Sequence, residues 1–136
     1  MTAVPTFLVI GAARSGTTAL VEGLRADPRV FITRPKEPHY FALAGNPPSF
    51  TGPGDSTSIN RVATARTEDY LALYPRDPSH YDALGDGSVS TLYYYSRSIP
   101  EIQRLAPRAK MVVILREPVD RAKSAYDYLT SKGHET

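Results

Sequence analysis

Phe7-Leu8-Val9-Ile10-Gly11-Ala12-Ala13-Arg14-Ser15-Gly16-Thr17-Thr18 is the stretch that decides the fold. Phe7 to Ile10 is a continuous apolar run, the pattern of a parallel strand buried on both faces. Gly11 to Thr18 is a turn of small residues. It leads into Ala19 to Ala26, where Leu20, Val21 and Leu24 keep helical spacing and Asp27-Pro28 closes the helix. Val30-Phe31-Ile32 then reads as a second strand. Strand, turn, helix and strand form one βαβ unit, so the predicted class is α/β with a parallel sheet.

The turn itself carries chemistry. Glycines and alanines let backbone approach an anion closely, and successive N–H groups add to the partial positive charge of the helix start. Thr17 and Thr18 offer hydroxyl donors. A nucleoside-triphosphatase loop, Gly-x4-Gly-Lys-Ser/Thr, demands Lys where Thr17 stands. The cation sits instead inside the loop, at Arg14. Such enzymes also place a magnesium-binding Asp after a hydrophobic strand. Here Val112-Val113-Ile114-Leu115 ends in Arg116, which repels magnesium and attracts a second anion. The turn therefore predicts a phosphate-like ligand without a metal.

Further along, Arg116 falls at the carboxyl end of that strand, where open α/β sheets place ligands. Glu117-Pro118 starts a helix running beyond Tyr128, and Ser124 lies about two turns into it. Arg supplies a fixed fork of donors and Ser one hydroxyl. Two anion sites on one sheet imply a ligand with two separated phosphates. An ordinary helix start with solvated charges is the plainer reading of 116–124 taken alone.

The rest of the chain is read more coarsely. Residues 42–66 hold Pro47, Pro48, Pro53, Gly45, Gly52 and Gly54 without periodicity, which predicts a flexible loop, either plain surface or an acceptor-binding lid. Thr67 to Tyr74 reads as a short helix with acids in its first turn. A short strand is expected near Ala83–Asp86. Ser98-Ile99-Pro100-Glu101 reads as a capping box opening a helix to about Ala106. Met111 to Leu115, the most apolar run, is expected as the central strand. Three or four parallel strands leave a thin sheet with an unprotected edge, so the chain is expected to be a fragment that begins at a true Met1.

Composition narrows the partners. The 136 residues fit one domain, and 16 basic against 14 acidic residues give a net charge of only +2. That balance argues against nucleic-acid binding by bulk electrostatics, so any anion site is local. There is no cysteine, which excludes disulfides and thiolate metal sites. His39, His80 and His134 lack ligand spacing, so no metal is expected. The run Phe7–Ile10 is too short for a signal peptide or membrane span. The reading is a soluble cytoplasmic protein.

These motifs resemble the sulfotransferase superfamily. Gly-Ala-Ala-Arg-Ser-Gly-Thr-Thr at 11–18 is similar to its 5′-phosphosulfate loop, and Leu115-Arg116-Glu117-Pro118 with Arg121 and Ser124 to its 3′-phosphate motif. Lys36-Glu37-Pro38-His39-Tyr40-Phe41 is similar to a segment of heparan-type and bacterial members. Gly85 to Tyr93 is similar to the segment before the second motif, with Asp86 and Val89 where Glu and Pro are common. The resemblance spans roughly residues 5–130. It implies a P-loop-like three-layer α/β/α fold around a central parallel sheet, truncated at the C-terminus. It implies 3′-phosphoadenosine 5′-phosphosulfate as co-substrate and no metal. Arg14, Ser15, Gly16, Thr17 and Thr18 would hold the 5′-phosphosulfate, and Arg116 and Ser124 the 3′-phosphate. Glu37 would be the general base, with Arg14 catalytic beside it as a cation that cannot lend a proton. The acceptor would be a carbohydrate, lipid or small molecule.

Rival readings stand beside these. A phosphate-loop kinase is disfavoured by Thr17 and Arg116. A non-catalytic nucleotide-binding module is compatible with the short chain. Glu37 read alone is a surface ion pair. Lys36 reads equally as a sulfuryl contact or as solvated. His39 reads as structural, and Tyr93-Tyr94-Tyr95 as a half-buried strand or helix entry.

Overall fold

The computed structural model describes residues 2–56 and 58–133. His134, one of the histidines weighed above, lies outside them. Four strands, β1 (Phe7–Gly11), β2 (Val30–Ile32), β3 (Ala83–Asp86) and β4 (Lys110–Val113), form one sheet in the order β2-β3-β1-β4. All neighbours are parallel, with Phe7 opposite both Gly85 and Lys110. Successive residues of a strand face opposite sides, and β1 uses both. Leu8 enters one core with Tyr40, Phe41, Tyr70, Tyr74 and Leu84. Val9 enters the other with Val21 and Ile32. Helices therefore cover both faces, and the three-layer α/β/α expectation holds.

Helix α1 (Thr17–Arg25) follows β1 directly, and Leu20, Val21 and Leu24 turn toward the Val9 face. The aromatic face is closed by α2 (Tyr40–Leu43) and α4 (Thr67–Leu71), with α3 (Ile59–Val62) in the loop between them. Tyr40 and Tyr70 stack at 4.3 Å between ring centroids and are fully buried. Offset ring pairs of this kind contribute about 0.5–1.5 kcal/mol beyond the area they bury. Helices α5 (Ser90–Tyr93) and α6 (Tyr95–Leu105) link β3 to β4, and α7 (Pro118–Ser131) ends the described chain.

Several elements depart from the sequence reading. Ala42 and Leu43 belong to α2 and are buried, so the irregular segment starts later than residue 42. It contains the single turn of α3, and Asn60 ties it together by accepting from Phe50 N at 3.0 Å and donating to Phe50 O at 2.7 Å. Helix α4 stops at Leu71 rather than Tyr74. Ser98 does not open its helix, which begins three residues earlier at Tyr95 and carries Pro100 inside. Glu101 explains the failure of the capping box. Its carboxylate accepts from Tyr40 and Arg104 instead of the backbone at Ser98. Tertiary contact outweighs the local signal. The Tyr run does form a helix entry, but Tyr93 and Tyr95 are exposed.

The apolar run at 111–115 is the edge strand, not the central one. Strands β3 and β1 take the interior positions, and Met111, Val113 and Leu115 lie exposed. Among the described residues nothing covers that flank, and no residue of α7 is buried.

Candidate active site

The register between β1 and β4 shifts between Val9 and Gly11. A bulge of this kind re-aims a strand end, and here it turns the chain into the loop 11–16. Ala12 N still donates to Ile114 O at 2.8 Å, so the loop stays pinned to the end of β4. Gly16, at φ +95°, adopts the left-handed conformation that starts α1, with no side chain capping the helix. The first-turn amides are thus left for a ligand.

The loop's carbonyls are held from outside. Arg121 Nε donates to Ala13 O at 2.9 Å, and Arg116 donates to Arg14 O at 3.4 Å. Arg14 Nε donates to Ser124 Oγ at 3.2 Å, and its guanidinium lies 4.7 Å from the centroid of the Tyr128 ring. The structure therefore brings Arg14, Arg116 and Ser124 together across one cleft. One groove of about 490 Å³ is lined by these three with Lys123 and Tyr128. An adjoining groove of about 460 Å³ shares the same three and reaches Gly16, Thr17 and Thr18. Ser15 is buried and turns its hydroxyl to Ala13 O at 3.4 Å, so its side chain serves the loop while its amide remains part of the turn.

Lys36 is the residue the sequence undervalued. Its Nζ lies 3.3 Å from both Thr17 Oγ1 and Thr18 Oγ1, at the mouth of α1. A Cβ on Gly87 would stand 3.2 Å from Lys36 Cγ, so the missing side chain at 87 makes room for the lysine stem. Among the described residues none of Arg14, Lys36, Arg116 or Arg121 forms an ion pair. The first groove also holds the Asp120 and Asp127 carboxylates against Arg14, Arg116 and Lys123, whereas the second has Arg14 and Arg116 as its charged lining.

Glu37 and His39 flank this cleft on the other side of Lys36. They line a groove of about 420 Å³ whose far wall is Ser58, Ile59 and Val62 from the irregular segment. Glu37 Oε1 accepts from Val89 N at 2.9 Å, and among the described residues Glu37 forms no ion pair. His39 Nδ1 bonds Ser90 Oγ at 2.7 Å. Burial pushes the His39 imidazole below its ordinary range, against a smaller upward pull from the Glu37 carboxylate. Beneath them Asp86 is fully enclosed, and burial raises its carboxyl although Ser88 N and the Tyr70 hydroxyl both donate to it. Among the described residues no His, Cys, Asp or Glu cluster converges as a metal site would. No helix there is long and apolar enough to cross a membrane.

Known proteins place this arrangement. The model of the "Sulfotransferase family" matches residues 5–136. The chain belongs to the sulfotransferase family. A crystal structure of a sulfotransferase from Alicyclobacillus acidocaldarius superposes with a TM-score of 0.83 at 38% identity, over 98% of this chain and 53% of that one. Heparan sulfate glucosamine 3-O-sulfotransferase 6 of Homo sapiens is 30% identical over 94% of this chain and 31% of its own length. Bifunctional heparan sulfate N-deacetylase/N-sulfotransferase 3 of Mus musculus is 33% identical over 96% of this chain and 13% of its own. This sulfotransferase chain thus spans a third or less of these two curated relatives. Sequence reasoning missed the placement of Arg121 and the partners of Glu37 and His39. The adjacency of Lys36, Glu37 and His39, and the likeness of 36–41 to a family segment, were the signals that they act together.

Proposed function

We propose that this sulfotransferase chain moves a sulfuryl group from 3′-phosphoadenosine 5′-phosphosulfate to a hydroxyl or amine of an acceptor. The single observation that supports it most is the shared cleft, in which Arg14, Arg116 and Ser124 meet across the tops of β1 and β4. A nucleotide charged at both its 3′ and 5′ ends suits two adjoining grooves that share Arg14 and Arg116. The donor fits the chain's own chemistry, since the uncapped first turn of α1 and Lys36 Nζ converge on the Thr17 and Thr18 hydroxyls.

In this reading Arg14, Ser15, Gly16, Thr17 and Thr18 hold the 5′ end, and Arg116 and Ser124 hold the 3′-phosphate. The co-substrate supplies an activated sulfur. Glu37 accepts the acceptor's proton, a new S–O or S–N bond forms, and the S–O bond to phosphate breaks. Arg14 and the loop amides steady the negative charge left on the departing phosphate. The groove between Glu37 and Ile59 receives the acceptor. A carbohydrate is the favoured class, because relatives carry heparan sulfate and carbohydrate in their names.

Calorimetric titration with adenosine 3′,5′-bisphosphate tests the reading. Binding that is clearly weakened in Arg116→Ala supports it; no binding by a folded chain overturns it. Glu37→Gln should keep that binding while lowering transfer from labelled donor to a heparan-derived oligosaccharide by about 10²–10⁴. Undiminished transfer removes Glu37 from the chemistry.

A further inference from the structure

Two cations at the loop 11–18 are held by different elements. Arg14 turns toward α7, where its Nε donates to Ser124 Oγ at 3.2 Å and its guanidinium faces the Tyr128 ring. Lys36 comes from the segment after β2, and its Nζ donates to Thr17 Oγ1 and Thr18 Oγ1, each at 3.3 Å. This lysine is fixed along its length. Its carbonyl accepts from Gly87 N at 3.1 Å. Its stem crosses Gly87 so closely that a Cβ there would stand 3.2 Å from Cγ and 3.4 Å from Cε. Lys36 and Glu37 are half-buried and share one groove with His39 and Ile59. The tip of Lys36 therefore meets the donor loop, while the residue lines the groove given above to the acceptor.

An ammonium in this place is unfavourable by itself. It lies at the first turn of α1, the positive end of the helix dipole, and that turn has no acidic residue. Among the described residues it has no ion pair. Of its three N–H donors, two are turned to Thr17 and Thr18. An anion that takes the third would relieve the repulsion.

We propose that Lys36 is a catalytic residue whose ammonium holds the sulfuryl oxygens as the group passes from the donor's phosphate to the acceptor. This rests on the function proposed above. The acceptor's lone pair forms the new bond to sulfur, and its proton goes to Glu37. The electron pair of the breaking S–O bond stays with the phosphate oxygen, beside Arg14 and the loop amides. Lys36 neither gains nor loses a proton. It steadies the charge on the moving group, and because it is already in place it needs no reorganisation at the moment of transfer.

The test compares wild type and Lys36→Met in the full chain. Methionine keeps much of the stem over Gly87 and removes the charge. Adenosine 3′,5′-bisphosphate carries both phosphates without the sulfuryl group, so it separates a sulfuryl contact from a phosphate contact. By calorimetry without acceptor, Lys36→Met should weaken 3′-phosphoadenosine 5′-phosphosulfate about tenfold and the bisphosphate less than about twofold. Equal weakening of the two ligands, or none in either, overturns the inference. Transfer from labelled donor to a heparan-derived oligosaccharide should fall about 10²-fold in kcat. Wild-type kcat in Lys36→Met overturns the inference as well. The denaturation midpoint of unliganded Lys36→Met should match or exceed that of wild type, because a cation has left the positive helix end. A lower midpoint with unchanged discrimination between the two ligands would make Lys36 structural. A folded wild type that binds neither nucleotide overturns the function proposed above, and this inference with it.

Discussion

The flank built on α2 and α4 and the flank built on β4 and α7 are held by different forces. On the first, Tyr40, Phe41, Tyr70 and Leu8 are each 1% exposed or less, and hydroxyls run from Tyr74 through Tyr70 to the buried Asp86. On the second, α7 has no buried residue and meets the body through polar contacts, notably Arg121 to Ala13 O and Ser124 to Arg14. Burial supplies most folding free energy, so stability concentrates in the aromatic flank. Among the described residues the second flank is committed to no core, and it carries its charges at close quarters.

The contrast is sharpest when the aromatic flank is broken. Tyr70→Ala removes a stacked ring and leaves Asp86 short of a donor, and should cost about 3–5 kcal/mol in chemical denaturation. Val119→Ala, on the exposed face of α7, should stay within about 0.5 kcal/mol. Comparable losses at the two sites would erase the distinction.

Ligand affinity should show the reverse order. Arg116→Ala should weaken adenosine 3′,5′-bisphosphate about 10–100-fold by calorimetry, with denaturation midpoints hardly moved. Among the described residues the Arg121 side chain hydrogen-bonds only the Ala13 carbonyl. Arg121→Ala should weaken the same ligand by a smaller factor, about fivefold, through a loosened loop. Equal losses in the two variants would mean that Arg121 meets the nucleotide itself.

A smaller effect should appear with pH. Burial holds the His39 ring below its ordinary value near 6.5. The unfolded chain then binds more protons than the native one just below that value. Stability from a neutral, buried His39 is complete above about pH 6.5 and is lost as pH falls through the native value. Denaturation of wild type and His39→Gln from pH 8 to 5 should show wild type losing ground below 6.5, with Glu37 and Lys36 as the charged neighbours common to both. Parallel curves would mean that the ring is solvated in the native state.

Local pattern sufficed for some of this architecture. Phe7–Ile10, Gly11–Thr18 and Val30–Ile32 form their elements from contiguous residues, and the loop's cation at Arg14 is visible one residue at a time. The pairing of Arg14 with Arg116 was readable because each follows a strand, and parallel strands put their ends together. What escaped reading depends on contacts distant in sequence. Lys36 reaches back 19 residues to Thr17, and Val89 meets Glu37 across 52. No periodicity records either contact. Strand β4 was misplaced because hydrophobicity reports what wants cover, whereas sheet order decides what receives it. The capping box at Ser98 failed for a related reason, since Glu101 is taken by Tyr40 from another helix.

The position of β1 in the sheet has a consequence for how the chain is made. Thr6 exchanges hydrogen bonds with Leu84, a partner 78 positions later, and β4 comes later still. At roughly 5–20 residues per second, a ribosome needs on the order of 4–16 s to supply that partner. Through that interval Phe-Leu-Val-Ile emerges with no strand beside it. Strand β1 is thus made well before either of its partners, and stays unpaired until residues 83–86 arrive.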